Sequence, residues 1–415
     1  MMPDSDVAAP VTAPINLQVT HSTDELIRSA VGLARTCLGM DVGFVTEFRS
    51  GMRIFRHVAS AEDISPIRVG DCDPLDQSYC QLVVSGAIPA MVQDSRNYPA
   101  LLALGVTAQL GIRTHIGVPI RFSDGALFGT FCCYSRSPDV MVSGYDVATL
   151  TRFAALIGEL IEGRVLGERA RAAVVERLLD VIAANRFEIV FQPVIDIDRR
   201  SVVGYEALAR FDSQAAQPER SPDQWFNEAH GVELGHRLEL RAIEKALQSL
   251  DRIPAGAYLA LNVSPQTILT GALEAALADV PLTRLMLEIT EHSSIVDYTV
   301  MAQSLLRLRE AGLRLAVDDA GSGYASFRHI LKLKPDVIKL DQSLIRDIDH
   351  EAGARALTTA LISFAASTGS TVVAEGVESE EELAVLRALG ISTVQGYLLG
   401  RPDSLPAHLP GSSAC

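Results

Sequence analysis

Apolar residues recur at three- and four-residue steps from Thr23 onward, at Leu26, Ile27, Ala30, Val31, Ala34 and Leu38, and stop at Gly39. This spacing predicts an amphipathic helix. The pattern then changes to short strand-like runs at Val42–Phe48, Met52–Val58, Ile88–Gln93, His115–Ile120 and Ala126–Tyr134, with a helical stretch at Ser78–Val84. Ser123-Asp124-Gly125 reads as the turn of a hairpin joining the last two runs. Together they predict an α+β domain, an antiparallel sheet packed on helices, over residues 21–160. Asp146 to Asn185 reads as one long helix, of which residues 161–184 are expected to link two domains. Its apolar positions Leu150, Phe153, Ile157 and Leu160, then Val175, Leu178 and Ile182, follow a three-four spacing. That spacing fits two arrangements: the seam of a parallel helix pair in a homodimer, or an amphipathic helix packed on its own domain.

Beyond Asn185 the pattern alternates. Strand-like runs at Glu188–Asp196, Val202–Ala207, Tyr258–Asn262, Arg284–Ile289, Arg314–Asp318, Val337–Leu340, Thr371–Glu375 and Thr393–Leu398 are separated by helical stretches. Several are continuous apolar runs (L-M-L-E-I, L-R-L-A-V, T-V-V-A-E), as expected of parallel strands buried on both faces. Eight strands alternating with helices predict an α/β barrel of the TIM type over residues 185–405. Residues 1–20 and 406–415 carry no periodicity and are expected to be tails.

Seven of these strands carry a polar residue near their carboxyl end: Glu206, Asn262, Glu288, the pair Asp318 and Asp319, Lys339, Glu375 and Gln395. In a barrel the carboxyl ends converge on one mouth, where active sites are built. One such residue is explained as a loop anchor; seven in succession point to function. Five acids against one lysine give the mouth a formal charge near −4. Such a cluster repels itself and any phosphate unless cations compensate it. Two divalent ions carry the matching charge, and an all-oxygen set with one amide suits Mg²⁺ or Mn²⁺ better than zinc.

Composition narrows the class. The chain has 415 residues, 48% apolar and 21% charged, which suits an ordinary two-domain globular protein. No apolar run reaches the ~18 residues of a membrane span and the start lacks a leader pattern, so a cytoplasmic location without a membrane is expected. Six cysteines without CxxC spacing read as reduced, mostly core thiols. A net charge of −15 argues against a long nucleic acid as partner, but not against a small phosphate substrate held through metal ions.

Two resemblances sharpen the reading. The segments S-Y-C-Q-L-V-V-S-G (Ser78–Gly86), P-A-M-V-Q-D-S (Pro89–Ser95) and Ile116–Ser135 resemble a GAF domain, which implies a sensory module with a small ligand of unknown identity. Cys80 is followed by Gln81 rather than His, and it reads as a core thiol rather than a chromophore attachment; His57 and His115 read as core or surface histidines.

The second half resembles EAL domains, the cyclic di-GMP phosphodiesterases of bacterial second-messenger signalling. It carries E-A-L-A-R (Glu206–Arg210), Q-P-V (Gln192–Val194), N-V-S (Asn262–Ser264), L-E-I-T-E (Leu287–Glu291), D-D-A-G-S-G-Y (Asp318–Tyr324), K-L-D (Lys339–Asp341), A-E-G-V-E (Ala374–Glu378) and Q-G-Y-L-L-G-R-P (Gln395–Pro402). The resemblance implies hydrolysis of cyclic di-GMP to linear pGpG with two Mg²⁺ or Mn²⁺ ions. It implies one metal held by Glu206, Asn262, Glu288 and Asp318, and a second by Asp318, Asp319 and Glu375. Lys339 would hold or polarise the attacking water. Either Glu375 is the general base or the two metals make a separate base unnecessary. Gln192, Leu208 and Arg210 would contact the dinucleotide, Gln395 the water or metal shell, and Glu291 the loop after the double aspartate. Asp341 and Glu378 would lie behind the ligands. Ala320 stands where the family commonly has Phe, which removes no ligand. The alternative function is a catalytically silent cyclic di-GMP receptor, although such receptors usually lose acids that this chain keeps.

Overall fold

The computed structural model describes residues 22–61, 66–212, 220–290, 295–321 and 325–405; the expected tails lie outside them. The chain divides into two compact units, Met1–Ala170 and Arg171–Cys415.

The first unit opens with the helix Thr23–Cys37, whose start is set by Ser22: its hydroxyl accepts from Glu25 N–H while the Glu25 carboxylate receives Ser22 N–H. Six strands follow, β1 (Val42–Arg49), β2 (Met52–Ser60), β3 (Cys72–Pro74), β4 (Met91–Val92), β5 (Thr114–Arg121) and β6 (Leu127–Ser135). They form one antiparallel sheet in the order β3-β2-β1-β6-β5-β4. The run expected at Ile88–Gln93 pairs only at Met91–Val92; Pro89, without an N–H, precedes it. Because side chains alternate along a strand, the sheet serves two cores. Ile116, Val118, Phe131 and Cys133 face Ile27, Val31, Leu150 and Ile157 of the helices. Cys132 and Tyr134 face the opposite way, among Phe44, Phe55, Tyr79 and Cys80.

The long helix runs without a break from Gly144 to Ala184, so the linker expected at 161–184 is its second half. Leu150 and Ile157 are buried in the core of the first unit, and Leu178 in that of the second. These apolar positions are therefore already covered within their own units.

The second unit is a closed barrel of eight strands, β7 (Phe187–Asp196), β8 (Ser201–Phe211), β9 (Tyr258–Asn262), β10 (Leu285–Thr290), β11 (Arg314–Ala320), β12 (Val337–Leu340), β13 (Thr371–Ala374) and β14 (Thr393–Val394). It departs from the expected all-parallel sheet in one strand: β7 is antiparallel to both β8 and β14. The cause is local. Only four residues join β7 to β8, and a parallel pair needs a crossover of a dozen or more. The tight turn is held by Asp196 Oδ1, which accepts from the N–H groups of Asp198 at 3.0 Å and Arg199 at 2.9 Å. The last strand is also shorter than expected, ending at Val394, so Gln395 opens a loop.

Val194, Tyr258, Ala260, Met286, Ala316, Val337 and Val373 fill the barrel interior. Gly204 makes room for the Tyr258 ring, since a Cβ there would lie 2.4 Å from ring carbon Cζ. Gly204→Ala is expected to lower stability by about 1–3 kcal/mol, the usual range for overpacking a core, read as an earlier thermal unfolding transition.

Candidate active site

The interior filling explains the mouth above it. In β9 to β13 the residue two places beyond an apolar interior position points inward one layer higher. Ala260 is followed by Asn262, Met286 by Glu288, Ala316 by Asp318, Val337 by Lys339 and Val373 by Glu375. The residues between them, Leu261, Leu287, Val317, Ile338 and Ala374, face the outer layer of core. The barrel thus has an apolar floor and, directly on it, a layer of charge.

Lys339 is the centre of that layer. It is 1% exposed, and its Nζ lies 2.6 Å from Glu375 Oε1, 2.7 Å from Glu288 Oε2, 3.3 Å from Asp318 Oδ1 and 3.4 Å from Glu206 Oε2. Burial alone would lower its pKa, but the charges of Asp318, Glu206, Glu288 and Glu375 hold it well above the usual lysine value. The acids respond unequally. Burial first of all, with repulsion from neighbouring carboxylates added and Lys339 offsetting only part of the sum, pushes Glu288 and Glu375 well above the ordinary carboxylate range. At Glu206 burial acts in the same direction but is outweighed by Lys339 and by hydrogen bonds from Gln395 and Asn262, so its carboxyl is lowered. The formal charge near −4 is therefore an upper limit on the negative charge of the metal-free cluster.

Glu206 is held at both oxygens. Asn262 Nδ2 donates to Oε1 at 2.9 Å and Gln395 Nε2 to Oε2 at 2.7 Å. Gln395 Nε2 also reaches Gln192 Oε1 at 3.1 Å, while Gln192 Nε2 donates to the Gly400 carbonyl at 3.2 Å. Gln192, an expected dinucleotide contact, has its amide beside Glu206 in this chain of hydrogen bonds, because the antiparallel hairpin pairs it with Glu206.

Asp319 breaks the alternation. As the neighbour of Asp318 it belongs on the outer face, yet its carboxylate joins those of Asp318 and Glu375. The register of β11 against β12 shifts between Val317 and Ala320, and Asp319 takes a left-handed φ of 56°. This bulge turns both aspartates to the mouth. Ala320, next in the chain, is fully buried in the outer core, away from the acids.

Two groups of carboxylates result, Glu206–Glu288–Asp318 and Asp318–Asp319–Glu375, each with one oxygen per residue within 4.8 Å of the others. Sharing Asp318, they have the donor set of adjacent divalent-cation sites. Gln395 Oε1 supports that fit: it is buried without a hydrogen-bond partner among the described residues, as an acceptor kept for an ion-bound water would be.

A cleft of about 980 Å³ opens beside the acids, lined among others by Leu208, Arg210 and Asn262. Its other wall comes from the helices Pro222–Gly231 and Gly235–Leu247. There His230 Nε2 lies 2.8 Å from Glu239 Oε1, and Glu239 Oε2 accepts from both N and Oγ of Ser264 at 2.9 Å. Strand-end reasoning missed these residues, since on a helix they read as ordinary polar positions. Asp341 Oδ1 accepts from Ser343 N–H at 2.9 Å, capping its own short helix, and Glu378 is exposed. Neither makes a described contact with the carboxylates. Glu291, expected to tether the loop after Asp319, lies outside the described residues.

A barrel whose strand ends gather five acids round one lysine, with a cleft alongside, has at its mouth the donors that divalent cations take. The chain belongs to the EAL domain family, whose model matches residues 175–402, and a GAF domain model matches residues 22–161. It is 35% identical over 235 residues to a cyclic di-GMP phosphodiesterase of Pseudomonas aeruginosa, covering 54% of this chain and 39% of that protein. It is 29% identical over 245 residues to the cyclic di-GMP phosphodiesterase PdeF of Escherichia coli, covering 57% of this chain and 32% of that one. The chain thus spans well under half the length of these relatives. Among solved structures it resembles the PaMucR phosphodiesterase in complex with c-di-GMP, with 26% identity and a TM-score of 0.51 over 56% of this chain and 98% of that one. Among the described residues no helix is long and apolar enough to cross a membrane.

Proposed function

We propose that the barrel hydrolyses one phosphodiester of cyclic di-GMP to linear pGpG with the help of two Mg²⁺ or Mn²⁺ ions. The observation that carries this reading is the pair of carboxylate groups sharing Asp318 around Lys339. Glu206, Asn262, Glu288 and Asp318 would hold one ion, and Asp318, Asp319 and Glu375 the other. When bound, such ions supply a water of lowered pKa and stabilise charge at phosphorus. Lys339 donates hydrogen bonds from its fixed ammonium to the attacking water, and either Glu375, whose Oε1 lies 2.6 Å from Lys339 Nζ, receives the proton or the two ions make a separate base unnecessary. Arg210, exposed at the end of β8 on the cleft, contacts a phosphate, and Leu208 packs against a base. Gln395 and Asn262 keep Glu206 oriented.

Turnover by the full chain, followed as pGpG with and without metal, tests this. Tight cyclic di-GMP binding without product at millimolar Mg²⁺ would instead make the protein a receptor. Metal affinity should depend on pH with a defined sign. Glu288 and Glu375 have raised pKa values, so in the metal-free site they retain protons that a cation must displace. Mn²⁺ affinity is expected to rise as pH rises through their titration and to be accompanied by proton release, measurable by calorimetry in buffers of different ionisation enthalpy. An affinity that is flat with pH would count against these carboxyls as ligands.

Regulation by the GAF domain belongs to the same proposal. The continuous helix Gly144–Ala184, part of both cores, supports it as the transmitting element. Turnover of the full chain compared with one beginning near Ala172 reads that control, and sedimentation at micromolar concentration reads whether the chain is a homodimer.

A further inference from the structure

The first unit holds a cluster of reactive side chains that the proposed hydrolysis does not use. Cys80, in the helix Tyr79–Val84, and Cys132, on β6, are both fully buried, and their sulfurs lie 3.8 Å apart. Arg53 Nη1 donates to Cys80 Sγ at 3.4 Å, and the guanidinium is anchored by Asp73, with Nε to Oδ1 at 2.8 Å. Alternation along β6 sends Cys133 into the opposite core, so of the three buried thiols these two face each other. The two sulfurs differ in character. Burial raises both, but at Cys80 it is outweighed by the hydrogen bond from Cys132, the charge of Arg53 and the hydroxyl of Thr130, which pull that thiol below its usual range. At Cys132 burial and the neighbouring Cys80 push the thiol up. Two sulfurs in contact, one of them held by a hydrogen bond from a fixed guanidinium, is the arrangement of a nucleophile and its resolving partner.

A small cavity lies on the side of Arg53 away from the pair's own contact. Arg53, Tyr79 and His115 line this space of about 10 Å³, close to what one water occupies. His115 is buried beside it, and among the described residues neither of its ring nitrogens has a hydrogen-bond partner. Gly117 keeps the space between Cys132 and His115 clear: a Cβ there would lie 2.7 Å from Cys132 Sγ and 2.9 Å from His115 Cε1. A core serving packing alone gains nothing from a desolvated guanidinium set against two thiols.

We propose that Cys80 and Cys132 are a hydroperoxide-reactive dithiol that closes to a disulfide. The Cys80 thiolate attacks one oxygen of hydrogen peroxide; the O–O bond breaks, hydroxide leaves with the electron pair, and Cys80 becomes a sulfenic acid. The Cys132 sulfur then attacks the Cys80 sulfur, the S–O bond breaks, and the departing hydroxide takes up the Cys132 proton as water. The pair is oxidised by two electrons in all, and one peroxide is reduced to one water and one hydroxide; the hydroxide becomes a second water by taking up the proton that Cys80 released on ionising.

The test is a peptide map of the reduced full chain after hydrogen peroxide treatment, digested without reductant and read by mass spectrometry. The expected result is a Cys80–Cys132 cross-linked peptide, the loss of two titratable thiols from that pair, and recovery of both with dithiothreitol. Cys133→Ser should keep the cross-link, and Cys132→Ser should stop at a sulfenic acid on Cys80 that dimedone traps. Recovery of Cys80 as a free thiol while the exposed Cys37 and Cys72 oxidise would overturn the proposal, as would a cross-link from Cys80 to any other cysteine. The map of the unaltered chain decides by itself, so a variant that fails to fold changes nothing.

Discussion

Lys339→Met is expected to destabilise the metal-free barrel by about 3–5 kcal/mol, the range for removing one partner of a buried ionic cluster. The lysine nitrogen lies within 3.4 Å of four carboxylates and is itself 1% exposed. Without it the carboxyls face one another in a site that little water reaches. Glu288 and Glu375, already raised in pKa, would take up protons and limit the damage without abolishing it. A loss of this size corresponds to a melting transition lower by roughly 10 °C. Saturating Mn²⁺ should restore much of that stability, because a cation that binds only the folded site shifts the equilibrium toward it. Turnover should stay low, by about 10²–10³-fold, since the ammonium aimed at the reacting water is gone. Thermal denaturation with and without Mn²⁺, beside a turnover assay, separates the two roles. Unchanged melting of the metal-free variant would show that the lysine is not the counter-ion of this cluster.

Glu206→Gln should reduce turnover by at least about 10²-fold and weaken Mn²⁺ binding as well. Charge is only part of the reason. Oε1 accepts from Asn262, and Oε2 accepts from Gln395 with Lys339 close by, so every neighbour is a donor. A glutamine turned with its NH₂ toward Gln395 and Lys339 sets a donor against donors, and turned toward Asn262 it requires that amide to flip and present Oδ1; in both placements the negative charge beside Lys339 is lost. Glu206→Asp keeps the charge but shortens the reach, and its deficit should be mainly in metal affinity. Calorimetric Mn²⁺ titration with steady-state pGpG production measures both. Full Mn²⁺-dependent turnover by Glu206→Gln would remove this carboxylate from the site.

Much of the candidate site was legible before any coordinates. The strand-end residues Glu206, Asn262, Glu288, Asp318, Lys339, Glu375 and Gln395 all meet at the mouth. In space Gln192 bonds beside Glu206, and Asp341 caps a short helix. The cleft wall carrying His230 and Glu239 gave no signal, because polar residues on amphipathic helices look alike whether they face solvent or a ligand.

The sequence alone determined which residues share the barrel mouth. Strand alternation is a local rule, and in parallel strands it carries every second residue to the same level, so a line of letters suffices to place them. Tertiary structure decided how those residues meet. Asp319 reaches the mouth only through a bulge, β7 reverses because four residues cannot make a crossover, and Glu206 and Glu288 move in opposite directions in pKa although both are buried glutamates. Such outcomes depend on distances between groups far apart in the chain, as from Lys339 to Glu206, and distances of that kind exist only once the barrel has closed.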